Sequence, residues 1–358
     1  MGRLYGQESR LLVTGGGTGG HVIPAIEIAL AHRRRGGGAV FYAGGPGGLE
    51  SRLSRETGIP FFPVSSGGVV GKSLRGRIYG LGKIFAGIPS AMKILGEIRP
   101  DLVIGTGGYV QVPVVLAARL KGIPIVLLEP NRVTGLANRF LRPLAARTVF
   151  AGRNGAVSGG IPVGGEVRGP RPLRERFFQN PPKILVMGGS QGARSLNQKI
   201  PGILAGLRNS SLWPIEILHQ SGERWTEETR EAYRSLGVSA RVEGFLPGIS
   251  TLLREQTLVI CRAGAMTIAE MTASGTPAIY IPFPHSAGGH QDKNARVLER
   301  EGGGWYWPED WLEDPEARTR NLEKILEDRD NLFAVAGTAW AVSPAVSADD
   351  WLRALEKG

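Results

Sequence analysis

Three glycine clusters hold the residues best suited to chemistry, and each stands at the end of a short apolar run. Gly15-Gly16-Gly17-Thr18-Gly19-Gly20 is followed at once by His21, Gly188-Gly189-Ser190-Gln191-Gly192 carries a hydroxyl, and Gly264-Ala265-Met266-Thr267 heads a helical pattern that reaches Glu270. Bare backbone N–H groups at the start of a helix form an anion site, so loops of this kind suit phosphate. A tight turn without a ligand is the plainer alternative, and five glycines in six residues speak against it for the first loop. Three such loops exceed what one phosphorylated ligand needs, whereas two diphosphates, one on each of two substrates, would use them all. An imidazole titrates near working pH, so His21 suits two roles: taking a proton from an attacking hydroxyl, or hydrogen-bonding a phosphate without moving a proton. The residue type leaves both open.

The first loop contains G-x-G-x-x-G at Gly15, Gly17 and Gly20, the pattern of a dinucleotide site. That reading needs an acid after the second strand to hold a ribose. Ala39–Ala43 ends instead in Gly44-Gly45, and the first carboxylate is Glu50, which disfavours NAD. The sole D-x-D, Asp328-Arg329-Asp330, trails a polar helical pattern far from any glycine loop, and the five histidines show no ligand spacing. No metal and no obligatory cofactor is therefore expected. Cys261 is the only cysteine and closes the run Leu258–Cys261, so it reads as a packed small hydrophobe. A single cysteine excludes an intrachain disulfide and points to a reducing compartment.

The elements that would position these loops are legible as apolar runs alternating with helical patterns, the mark of parallel sheets covered by helices. One series of strands is expected at Leu11–Val13, Ala39–Ala43, Leu102–Ile104, Ile125–Leu128 and Thr148–Phe150. A second is expected at Ile184–Met187, Ile215–Leu218, Leu258–Cys261 and Ala278–Ile281, with Gly275 and Pro277 ending the helix that follows Gly264. Gly152–Pro182, rich in Gly and Pro, reads as a linker. Both halves open with a strand, a glycine loop and a helix. The expected fold is therefore α/β, two doubly wound parallel-sheet domains facing across a cleft, with ligands at the carboxyl ends of the strands. The domains are expected at 1–160 and 161–340, with a helix over 341–358 packing back on the first.

At 358 residues, 42% hydrophobic and 21% charged, the chain has the size and composition of two globular domains. Residues 1–170 carry 21 Lys and Arg against 8 Asp and Glu, while the remainder is close to neutral. A basic first half implies an anionic surface or ligand. Met1–Arg10 is polar and lacks the core of a signal peptide, and no apolar run approaches the ~20 residues of a spanning helix. Within 69–95, Val70, Leu74, Ile78, Leu81 and Phe85 are interspersed with Lys72, Arg75 and Arg77, at spacings that place Ile78, Leu81 and Phe85 on one helical face. Such a segment suits an anionic lipid interface, and a core-facing helix is the ordinary alternative. No nucleic-acid motif accompanies the charge.

Gly15–Pro24 (GGGTGGHVIP), Gly105–Val110 (GTGGYV), Glu129–Asn131 (EPN), Gly188–Asn197 (GGSQGARSLN), Cys261–Glu270 (CRAGAMTIAE) and His290–Ala295 stand in one order along the chain. Together they resemble the MurG family of peptidoglycan glycosyltransferases, which have the GT-B architecture. The resemblance implies an inverting transfer of GlcNAc from UDP-GlcNAc, the co-substrate, to the C4 hydroxyl of MurNAc in lipid I (undecaprenyl-diphosphate-MurNAc-pentapeptide). It implies a catalytic role for His21 or Glu129. It places Gly16, Gly17, Thr18, Gly19, His21, Gly107, Gly108 and Tyr109 at the acceptor diphosphate. At the donor it places Glu270 on the ribose, Ser190 with Ala265, Met266 and Thr267 on the diphosphate, and Gln291 and Asn294 on the sugar. Leu246 would lie at the uracil, Arg168 near the nucleotide, and Thr18, Gly19, Gly20 and Asn131 near the donor sugar. Pro130 departs from the family's usual glutamine and removes any role that rests on it. The implied partners are lipid I, an anionic membrane surface at the cytoplasmic face of the plasma membrane, and other wall-synthesis proteins, but no nucleic acid. A transferase acting on another lipid and a non-catalytic scaffold that binds nucleotide sugar are the competing readings.

Overall fold

The computed structural model describes residues 4–67, 74–131, 134–151, 160–163, 169–189, 191–246 and 249–357, with the side chains of 74–78, 81 and 287 left undescribed. Val70, Lys72, Arg168 and Ser190 therefore lie outside the described residues, as do the side chains of Leu74, Arg75, Arg77, Ile78 and Leu81. The chain divides into two compact units, Met1–Gly165 with Val346–Gly358, and Glu166–Ala345.

The first unit runs β1 (Leu11–Thr14), α1 (Gly19–Arg34), β2 (Val40–Gly44), α2 (Leu49–Glu56), β3 (Phe61–Pro63), α3 (Leu74–Ile98), β4 (Leu102–Gly105), α4 (Gln111–Leu120), β5 (Ile125–Glu129), α5 (Leu136–Leu141) and β6 (Arg147–Phe150), followed by the short β7 (Ile161–Val163). Its sheet has the order β3-β2-β1-β4-β5-β6, every pair parallel. The strands read as unbroken apolar runs because both faces are covered. Successive residues point to opposite faces: Leu11, Val13, Leu102, Ile104, Val126 and Leu128 enter a core with α1, while Leu12, Val103 and Leu127 enter another with α3 and α4.

The second unit repeats the plan. It runs β8 (Lys183–Met187), α6 (Arg194–Gly206), β9 (Glu216–Gln220), α7 (Thr226–Ser235), β10 (Arg241–Glu243), α8 (Ile249–Leu253), β11 (Leu258–Cys261), α9 (Ala265–Ala273), β12 (Ala278–Tyr280), α10 (His290–Arg300), β13 (Trp305–Tyr306), α11 (Pro315–Glu327) and α12 (Arg329–Ala341). The parallel order is β10-β9-β8-β11-β12-β13. Ile184, Val186, Leu258 and Ile260 face one core, and Leu185, Met187, Val259 and Cys261 the other. Cys261 is fully buried, and burial together with the nearby Glu270 charge pushes its thiol well above the ordinary range. After the short strand β14 (Ala345–Ser347), helix α13 (Ala348–Glu356) belongs to the first unit. There Trp351, Leu352 and Leu355 join the α1 core, and Arg35 pairs with Glu356 at 2.8 Å.

The linker expected over 152–182 needs correction. Phe177 is fully buried in the second unit's core, and beside it the Arg176 guanidinium donates to the carbonyls of Leu253 (2.7 Å), Gln256 (2.9 Å) and Gly275 (3.2 Å). Burial lowers that guanidinium to about 9. With the strand Ile161–Val163, ordered structure thus occupies parts of a stretch whose Gly and Pro content suggested none.

Candidate active site

All three glycine loops lie at the carboxyl ends of central strands, after β1, β8 and β11. In the first unit two loops interlock. The Gly16 N–H donates to Gly107 O at 3.3 Å, the Thr106 N–H donates to Thr14 O at 2.9 Å, and the Thr106 hydroxyl donates to His21 O at 2.6 Å. The contact is so close that side chains are excluded. A Cβ on Gly15 would stand 2.1 Å from Thr106 Oγ1, one on Gly108 2.2 Å from Gly16 O, and one on Gly107 2.3 Å from His21 Nδ1. Gly107 also has φ +117, a conformation L residues rarely adopt. Gly107→Ala is expected to displace the His21 ring and lower catalytic activity at least tenfold. It should also destabilise the fold by about 1–3 kcal/mol, read as a shift in thermal unfolding.

His21 itself is fixed by a 3.0 Å hydrogen bond between Nδ1 and Thr106 O. A carbonyl oxygen only accepts, so Nδ1 carries the proton, and in the neutral ring Nε2 is the basic nitrogen. Tyr109, 38% exposed, brings its ring within 3.3 Å of where a Gly17 Cβ would lie.

Glu129 stands differently from an acid–base residue. It is 1% exposed. Its Oε1 accepts from the Asn131 N–H and the Asn131 amide, each at 3.1 Å, and its Oε2 accepts from the Gly135 N–H at 2.8 Å and the Asn138 amide at 3.1 Å. Among the described residues four donors engage the two oxygens. The chain continues from Asn138 to Gln111 (2.7 Å) and from Gln111 Oε1 to the Gly107 N–H (3.0 Å). Glu129 thereby holds Asn131 and ties the turn after β5 to the Gly107 loop. Pro130 fits because Asn131 supplies the backbone donor that a proline lacks.

In the second unit Gly192 is pressed against the turn after β9, where a Cβ on it would meet Ser221 O at 1.8 Å. Asn197 of α6 donates to that same Ser221 carbonyl at 2.9 Å. Behind it His219 contacts Asn197 Oδ1 at 3.0 Å and Tyr233 at 2.9 Å. Burial lowers His219 to about 3, so it stays neutral between Asn197 and Tyr233. Gly264 caps α9 in an extended conformation, with Ala265, Thr267 and Glu270 half-buried and Met266 turned into the core. Gln291 Oε1 accepts from the Phe283 N–H at 2.9 Å. Asn294 is 5% exposed and its amide reaches Ala263 O at 3.4 Å, so it braces the loop before α9 from below. Leu246 is half-buried beside the exposed Phe245.

Sequence reasoning assigned no role to Thr106, Gln111, Asn138, Asn197 and His219, most of whose partners are remote in the chain. A cavity of about 390 Å³, lined by Lys183, Ile215, Glu216, Arg241 and Glu255 among others, opens at the amino ends of β8, β9 and β10, away from the loops. Among the described residues no group of three His, Cys, Asp or Glu side chains is placed to hold a metal.

Two family models match the chain: the glycosyltransferase family 28 N-terminal domain over residues 11–150 and the family 28 C-terminal domain over 183–349. The UDP-N-acetylglucosamine--N-acetylmuramyl-(pentapeptide) pyrophosphoryl-undecaprenol N-acetylglucosamine transferase of Methylococcus capsulatus is 36% identical over 334 residues, covering 92% of this chain and 93% of that protein. The crystal structure of Acinetobacter baumannii MurG superposes with a TM-score of 0.72 at 31% identity, covering 93% of this chain and 95% of that one. The chain belongs to the MurG family. As a MurG-family member it is a glycosyltransferase of GT-B architecture, built from two doubly wound parallel-sheet units. A spinosyn rhamnosyltransferase, SpnG, matches at a TM-score of 0.67 with 16% identity and shares the fold alone.

Proposed function

We propose that the protein transfers GlcNAc from UDP-GlcNAc to the C4 hydroxyl of MurNAc in lipid I, inverting the anomeric centre and releasing lipid II and UDP. The observation that carries this reading is the set of three phosphate-type loops at the carboxyl ends of β1, β8 and β11, in a chain of the MurG family. The first unit takes the lipid-linked acceptor, its diphosphate on the Gly16–Gly19 and Gly107–Tyr109 loops. The second takes the nucleotide sugar, with Glu270 on the ribose hydroxyls and the N-termini of α6 and α9, together with Ser190, on the diphosphate. Those helix termini stabilise the charge that grows on the leaving UDP.

The reaction is one displacement. The C4 oxygen forms a bond to the anomeric carbon as the bond to the UDP oxygen breaks, and the hydroxyl proton passes to His21 Nε2. Glu129 keeps Asn131 in place toward the donor sugar without itself moving a proton. Transfer from labelled UDP-GlcNAc to a short-chain lipid I analogue tests the reading. Product formation supports it; bound UDP-GlcNAc without transfer moves the assignment to another acceptor lipid or to a scaffold.

The acceptor's lipid tail calls for a membrane surface. Tyr79 and Phe85 on α3 are 64% and 65% exposed, and the Lys83 ammonium lies 4.8 Å from the Tyr79 ring centroid. Among the described residues no helix is long and apolar enough to cross a bilayer. Exposed rings beside cations suit an anionic interface, each basic residue adding ~1 kcal/mol near the surface. Phe85→Glu is expected to weaken co-sedimentation with anionic vesicles at least tenfold, as burial of one such ring contributes about 1.5–3 kcal/mol. Equal binding by wild type and variant removes α3 from the interface.

A further inference from the structure

Arg262 is the first residue after β11, and its side chain is almost wholly enclosed, 8% exposed. Its Nη1 donates to the carbonyls of Ile281 and Pro282 at the end of β12, each at 3.2 Å, and pairs with Glu309 from the 3₁₀ turn Glu309–Glu313. Its Nη2 donates to Ser195 Oγ, in the first turn of α6, at 2.8 Å. The guanidinium also lies 5.4 Å from the Phe283 ring centroid, and the Phe283 N–H is the donor to Gln291 Oε1. One planar group thus touches the segment behind each donor-side loop: the 188–192 loop through Ser195, the Gly264 loop through its own backbone, and the Gln291 region through Phe283 and the end of β12.

We infer that the Arg262–Glu309 pair is the positioning element for UDP-GlcNAc, setting the spacing of the two phosphate-type loops and of Gln291 without touching the substrate itself. Glu309 offsets the charge of Arg262, so the pair acts through geometry rather than as a cation directed at the diphosphate. The five-donor fork of a guanidinium can bridge several carbonyls and a carboxylate in one plane, which an ammonium cannot. Burial acts to raise the Glu309 carboxyl, and the hydrogen bonds from Arg262 and Ser195 outweigh it and hold it below the usual range, so the carboxylate is charged throughout the working pH range. Neither its place in the chain nor a motif marks Glu309, which is why only the structure shows it.

The inference rests on the second unit being the donor unit, and UDP alone is therefore the binding probe. Titration calorimetry of UDP into wild type, Glu309→Gln and Glu309→Asp is set beside steady-state transfer by the same proteins. Glu309→Gln keeps the shape but removes the charge; it is expected to raise the UDP Kd and the KM for UDP-GlcNAc about tenfold, equivalent to ~1.4 kcal/mol. The acceptor KM should stay unchanged and kcat within about twofold, since only ground- and transition-state binding common to both is lost. Glu309→Asp restores the charge and should recover most of the affinity. A Glu309→Gln protein that melts lower yet binds UDP as wild type does overturns the inference and leaves the pair a stability feature. Wild type that binds UDP but transfers nothing to lipid I removes the proposed acceptor, while the difference in UDP affinity between the variants still supports the positioning role. Wild type that does not bind UDP overturns both.

Discussion

Replacing His21 by alanine will lower kcat by about 10²–10⁴-fold, the range general bases contribute, while leaving the affinity for UDP within about twofold. The basis is the tautomer. With Nδ1 committed as donor to Thr106 O at 3.0 Å, the neutral ring keeps its basic lone pair on Nε2. A histidine that only bound phosphate would need a proton on Nε2 as well, and so a cationic ring. His21→Asn separates the two roles, because its amide can still donate toward the Thr106 carbonyl but cannot accept a proton in the transition state. Loss of kcat in both variants supports the base. An asparagine variant with wild-type kcat and a raised KM for the acceptor alone would return His21 to diphosphate binding.

Glu270→Ala should reduce kcat/KM for UDP-GlcNAc by about 10²–10⁴-fold, since a charge-assisted hydrogen bond contributes about 1.5–3 kcal/mol and two ribose hydroxyls are at stake. Glu270 is half-buried on α9, in the second turn after the Gly264 cap. Calorimetry with UDP and with its 2′-deoxy analogue makes the assignment specific. In wild type the missing hydroxyl should weaken binding, and in Glu270→Ala the two ligands should bind alike. An undiminished preference for UDP in the variant would place the ribose elsewhere. Glu270→Gln keeps one acceptor oxygen without its charge and should fall between wild type and alanine.

The central strands were legible because they are buried on both faces, which forces unbroken apolar runs such as Leu11–Val13 and Leu258–Cys261. Three of the four edge strands of the two large sheets, β3, β10 and β13, are too short to stand out as runs. Phe61–Pro63, Arg241–Glu243 and Trp305–Tyr306 have two or three residues each and pair on one side, and the first two carry proline or charge. The glycine loops were legible as anion sites, since glycine density survives in one dimension. Their interlocking was not, because the Gly107–His21 contact depends on parallel pairing of β1 with β4. Glu129 shows the same limit from the other side. As a residue type it suits a base; with four donors on a 1%-exposed carboxylate it suits a clamp. Arg176 and Phe177 explain the misread linker, since two side chains anchored in a remote core outweigh a composition of Gly and Pro.

The burial of Cys261 has a practical corollary. The only sulfhydryl in the sequence has no solvent exposure and resists ionisation, and it is the thiolate that alkylating reagents attack. The folded protein is therefore a natural blank for maleimide chemistry, and a cysteine introduced at an exposed position such as Phe85 would carry a fluorophore or spin label at one defined point, without any native residue having to be removed first.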